Sequence, residues 1–110
     1  MSRTPTRNYL RRHRLRTALT LRELGALLGI SKSALIRYEL GLRPVPAEIV
    51  IASERVFGVS GSALFPALYN GVEEDLAIRA FELHDRLAGR LDLGALKKRS
   101  LISTIESRFH

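Results

Sequence analysis

The stretch at 21–40, LRELGALLGISKSALIRYEL, limits what the chain can fold into more tightly than any other segment. Leu21, Leu24, Leu27 and Leu28 recur at helical spacing, and Gly29 follows as a residue that takes positive φ at a helix end without Cβ strain. Ser31 is a good N-cap for a second helix, 31–40, which turns Ala34, Leu35 and Tyr38 inward and stops at Gly41. Only about three residues separate the two helices, so they cross closely. The crossing demands a residue with almost no side chain on the first helix. Gly25 supplies it in mid-helix, at a cost of about 1 kcal/mol relative to Ala. Ile30 and Leu35 are the apolar plugs of the shared core.

The flanking sequence builds a small bundle around this pair. A helical pattern over 7–18 places Leu10, Arg14, Leu15 and Ala18 on one side and Arg11, Arg12 and Arg16 on the other. TLRE at 20–23 fits a capping box, in which a hydroxyl and a carboxylate satisfy each other's backbone N–H groups. LRPVP at 42–46 cannot continue a helix, because each proline removes a donor and biases its predecessor to extended geometry. The 3.6-residue period resumes over 47–57 through Ile49, Ala52, Ser53, Val56 and Phe57, and a short helical turn starts at Ser60 or Ser62 and ends at Phe65.

Tyr69-Asn70-Gly71 is a turn signal that sets off the remainder. There, 72–87 carries a stripe of Leu76, Ala80, Leu83 and Leu87, the segment 89–94 interrupts, and 95–109 carries Leu96, Leu101, Ile102 and Ile105. The expected fold is all-α: a flexible arm at 1–6, a five-helix domain at 7–69 and a two-helix extension at 72–110.

Charge narrows the partner. The net charge is +7, and residues 1–44 hold ten Lys/Arg against two acids, whereas 72–110 balance seven against seven. This asymmetry favours a polyanion, nucleic acid ahead of membrane, because Arg11, Arg12, His13 and Arg14 interrupt the apolar face that a membrane-surface helix needs. The chain has no cysteine, which excludes a disulfide framework or thiolate metal site and suits a reducing compartment. No apolar run approaches the roughly 20 residues of a membrane span, and no secretory signal pattern opens the chain. The expectation is a cytoplasmic protein without membrane contact.

Two short helices joined by a glycine turn are the helix-turn-helix geometry. From Leu10 to Phe65 the sequence resembles the lambda-repressor-like, or XRE, family of phage repressors and Cro proteins. The resemblance rests on the turn motif, on Arg14, on Glu39-Leu40-Gly41, and on Phe57-Gly58-Val59-Ser60 with Leu64-Phe65. It implies a five-helix DNA-binding domain in which Arg14 and Glu39 form a partly buried ion pair. It also implies a sequence-specific, double-stranded DNA-binding transcriptional regulator, a nucleoid-associated repressor that binds a palindromic operator as a homodimer and needs no cofactor.

By position in that family, Lys32, Ser33 and Arg37 enter the major groove, with Ile36 on the flank where a thymine methyl lies. Arg37 and Lys32 each reach either a guanine edge or a phosphate, and Ser33 either contacts the groove or supports the Ser31 cap. Phosphates fall to Thr20 and Arg22 at the start of the second helix and to Arg43 in the loop after the third. Arg11, with Arg7 and Arg3, extends the footprint. The family often carries Gln where this chain has Leu21, so Arg22 takes over that phosphate clamp.

Segment 72–110 is read as the dimerisation region, against two alternatives: that it folds back to extend the core, or that it holds another protein, as in an antitoxin or accessory regulator. Catalysis is not expected. Glu82, His84 and Asp85, like Glu73, Glu74 and Asp75, come without a nucleophile, a glycine loop or metal-ligand spacing.

Overall fold

A computed structural model of the chain describes residues 8–108. The expected arm at 1–6, Arg3, Arg7 and the last residue of the final helix lie outside that range. The described residues form seven α-helices and no strand: α1 (Leu10–Arg16), α2 (Leu21–Leu28), α3 (Lys32–Glu39), α4 (Ala47–Phe57), α5 (Gly61–Leu64), α6 (Pro66–Leu87) and α7 (Leu93–Arg108). The chain divides into two compact units between Tyr69 and Asn70.

The first unit is built on Leu10, Leu24, Leu28, Leu35, Tyr38, Ile49, Val50, Leu64 and Phe65, with Ile30, Ala34, Ala52, Val56 and Phe57 packed against them. Every one of α1 to α5 contributes a fully buried residue, so none is a satellite. Leu15 and Leu27, placed on apolar stripes by spacing alone, are instead more than half exposed. Each of these helices spans only about two turns, and so short a helix turns a narrower stripe inward than its leucines fill.

α1, α2 and α3 end in the same way. Leu19 N–H reaches the Arg14 carbonyl and Ala18 N–H the Leu15 carbonyl, each at 3.2 Å. Ile30 and Gly29 repeat the pattern onto Gly25 (2.9 Å) and Ala26 (3.3 Å), and Leu42 and Gly41 onto Arg37 (3.0 Å) and Tyr38 (3.1 Å). This Schellman arrangement satisfies the orphan carbonyls of a helix end and requires one residue with left-handed backbone. Gly29 and Gly41 provide it at φ +70°, and after α1 the position falls to Ala18 at φ 59°.

Gly25 is buried, and the obstacle that requires it is the turn itself: a Cβ there would stand 2.9 Å from the Ile30 carbonyl oxygen. The helix starts are equally explicit. Thr20 and Glu23 make the reciprocal capping box, at 2.9 and 3.0 Å. Ser31 Oγ accepts from Ala34 N–H at 3.1 Å, and Ser60, rather than Ser62, caps α5 by accepting from Ala63 N–H at 3.2 Å.

The boundary expected at 69–71 is corrected. Tyr69-Asn70-Gly71 is not a turn but lies within α6, which starts at Pro66 rather than at 72. Proline at the first helical position gives up only an N–H that has no intrahelical partner. Tyr69 packs on the first core while Ala80 and Leu87 belong to the second, and burial at both ends of α6 outweighs the propensity penalty of about 1 kcal/mol for Gly71.

The stripes of the second unit are borne out in part: Ala80, Leu87, Ile102 and Ile105 face its core as expected. Its core is Ala80, Leu87, Ala95 and Ile102, with Ile105 beside it. Leu76, Leu83, Leu96 and Leu101 are exposed. Two of the four buried core residues, Ala80 and Ala95, are small, while larger leucines on the same helices stay exposed.

Candidate nucleic-acid interface

The exposed side of α3 is basic and nearly free of acid. Lys32, Ser33 and Arg37 are exposed, and Ile36, between Ser33 and Arg37 on the same face, is half-buried. Its opposite side anchors it, since Leu35 is fully buried and Tyr38 is 4% exposed. The one acid of the helix, Glu39, is turned away from this face. Arg14 donates to it from Nε to Oε2 at 2.7 Å and from Nη2 to Oε1 at 3.0 Å, and the Glu39 side chain is 3% exposed.

Arg14 also donates from Nη1 to the Leu19 carbonyl at 3.2 Å, so one guanidinium joins α1, the loop after it and the end of α3. The hydrogen bonds to Glu39 raise the Arg14 pKa above the ordinary arginine value, against the opposing effect of burial. The two opposite charges offset each other locally, so Glu39 leaves no unpaired acid on α3.

The four residues placed on phosphates by position are all exposed: Thr20, Arg22, Arg43 and Arg11. They differ in how far they are committed. Thr20 spends its backbone N–H on the Glu23 carboxylate and accepts on its hydroxyl from Glu23 N–H, so most of its hydrogen-bonding capacity is used within the cap. The Thr20 backbone N–H, followed by its hydroxyl, holds Glu23 below the usual glutamate range, so a carboxylate stands beside the start of α2. Arg43 lies over the buried ring of Tyr38, 5.6 Å from its centroid. Arg11 belongs to an open groove along α1 with Asn8, Tyr9, Arg12, Leu15, Arg16 and Glu39, where Arg12 stacks 5.1 Å from the centre of the Tyr9 ring.

Spacing and charge gave no sign of two of these arrangements. Asn8 Nδ2 donates to the Tyr38 carbonyl at 2.8 Å, thirty positions away. Arg43 rests on Tyr38 because the Schellman turn at Gly41 folds the chain back over α3. A polar residue ahead of a helix and an aromatic residue five before an arginine were the available signals, and both are common without such contacts.

No helix among the described residues is long and apolar enough to cross a membrane. A family model described as a helix-turn-helix domain matches residues 7–65, more than half of the chain. Comparison with curated proteins and with solved structures gave no match. With the glycine turn between α2 and α3, the capped and acid-shielded α3 and the basic face it presents, this match shows that the chain belongs to the helix-turn-helix family of DNA-binding domains, in keeping with the lambda-repressor-like group that its sequence resembles.

Proposed function

We propose that the chain is a transcriptional repressor that binds a palindromic operator as a homodimer, with α3 in the major groove. The observation that carries this reading is the joint exposure of Lys32, Ser33 and Arg37 on a helix whose other face is locked into a core and whose acid is neutralised by Arg14. Arg37 forks onto a guanine edge, Lys32 onto guanine or a neighbouring phosphate, Ser33 tolerates several bases, and Ile36 meets a thymine methyl. Arg22 and Arg43 take phosphates on either side, Thr20 contributes one hydroxyl proton, and Arg11 adds to the footprint.

Dimerisation is assigned to 72–110. Two helices with a core of four residues are a poor candidate for independent stability, and Ile78, Phe81, Leu91 and Leu101 leave apolar surface uncovered, Leu91 at 81%. One module alone reads too little DNA for high specificity, whereas a two-fold dimer reads half-sites about 34 Å apart.

Selection of bound sequences from a random DNA pool at fixed salt tests the reading. It predicts inverted half-sites one helical turn apart, and recovery of no preferred sequence would refute it. The same apolar surface supports a second reading, a regulator whose extension holds another protein. Sedimentation of the purified chain separates the two, because a monomer at high concentration removes the homodimer.

A further inference from the structure

We infer that Asn8 is a positioning residue for the recognition helix and sets the sequence selectivity of binding without touching DNA. The inference rests on the DNA-binding reading above. Asn8 stands just before α1, is half-buried, and makes two hydrogen bonds of opposite sense. Nδ2 donates to the carbonyl of Tyr38 at 2.8 Å, and Oδ1 accepts from Leu10 N–H at 3.0 Å. Both contacts require the same orientation of the amide, so the donor end is fixed on α3. The next residue extends the clamp, since Tyr9 N–H donates to the Leu64 carbonyl at the end of α5 at 2.8 Å.

The end of α3 is therefore tied to α1 at two separate points. Arg14 grips the Glu39 side chain, and Asn8 grips the backbone one residue earlier. Packing at Leu35 and Tyr38 and the ion pair hold α3 in the core, and the tie to the Tyr38 backbone adds a directional constraint on its tilt. Lys32 lies at the far end of the same eight-residue helix, so a small change of tilt at Tyr38 is amplified at the base-reading end. Backbone phosphate contacts from Arg22 and Arg43 tolerate such a tilt, whereas bidentate contacts to base edges do not.

The test is Asn8→Asp, which keeps the acceptor for Leu10 N–H and turns the donor facing the Tyr38 carbonyl into an acceptor. With wild type and variant measured on the selected operator and on random DNA at one salt concentration, the ratio of the two affinities falls about tenfold while random-DNA affinity changes little. Val50→Ala, a core change in α4, lowers the melting temperature but leaves the ratio alone, which separates tilt from general destabilisation. Amide residual dipolar couplings on the free proteins report α3 turning relative to α1 and α2 in the variant.

An unchanged affinity ratio, a loss equal on both DNAs, or couplings that fit one unaltered orientation would each overturn the inference. A wild type without sequence preference overturns the DNA reading together with the selectivity role of Asn8, and the couplings then decide the clamp alone.

Discussion

Arg14 and Glu39 meet as a two-toothed ion pair across 25 positions of sequence, with side chains 9% and 3% exposed. It removes the only acid of α3 from the DNA-facing side and fastens that helix to α1. Arg14→Met alone strands a buried carboxylate and costs about 3–5 kcal/mol, whereas the pair Arg14→Met and Glu39→Leu recovers most of it. Chemical denaturation of wild type and the two variants checks this, and a double variant no more stable than Arg14→Met alone would be incompatible with it. Because folding raises the Arg14 pKa, the stabilisation it reflects is fully present below the unfolded arginine pKa and is lost only as pH rises through the raised value.

Gly25→Ala brings a Cβ to 2.9 Å from the Ile30 carbonyl oxygen, a backbone atom held by the turn. Overpacking of this kind costs about 1–3 kcal/mol, against about 1 kcal/mol gained in helix propensity. The expected net effect is a lower melting temperature. A variant that melts higher than wild type would show that the turn yields.

Ala18→Gly has the opposite sign. Ala18 closes α1 at φ 59°, where the Cβ is strained, while α2 and α3 use glycine for the same step. Relief of the strain, less the entropy that glycine adds to the unfolded chain, stabilises by about 0.5–1 kcal/mol. The gain should show as a rise of a few degrees by calorimetry.

Arg37→Ala and Arg43→Ala separate base reading from backbone contact. Arg37→Ala relaxes preference at particular base pairs. Arg43→Ala weakens all sequences alike and lowers the slope of log affinity against log salt by about one. Fluorescence anisotropy titrations on operator and random DNA over a salt series distinguish them, and identical behaviour of the two variants would remove the assignment of roles.

Glu23 gives a signature at acid pH. Its carboxylate is held below the usual range, first by the Thr20 backbone N–H. A depressed folded pKa contributes stability that is present above the unfolded glutamate value and is lost as pH falls through the folded one. Glu23→Gln keeps an acceptor but not that titration, so the gap in melting temperature between wild type and variant should narrow as pH falls through the carboxylate range.

Local rules sufficed where the deciding interaction spans a few residues. The capping box at Thr20 and Glu23, the Ser31 cap, the left-handed Gly29 and Gly41 and the steric demand at Gly25 are all set within five or six positions, so their residue types announce them. The basic face of α3 followed from the same spacing. What tertiary structure decided lies over longer separations. Asn-Gly at 70–71 reads as a turn until burial at both ends of α6 carries a helix through it. Which apolar residues of α6 and α7 are buried was settled by the second core, which takes Ala80, Leu87, Ala95 and Ile102 and leaves Leu76, Leu83, Leu96 and Leu101 exposed. Asn8 on Tyr38 and Arg43 over its ring depend on where the chain returns in space, because a hydrogen bond or a stacked cation requires atoms within a few ångströms and the identity of either partner alone does not specify the other.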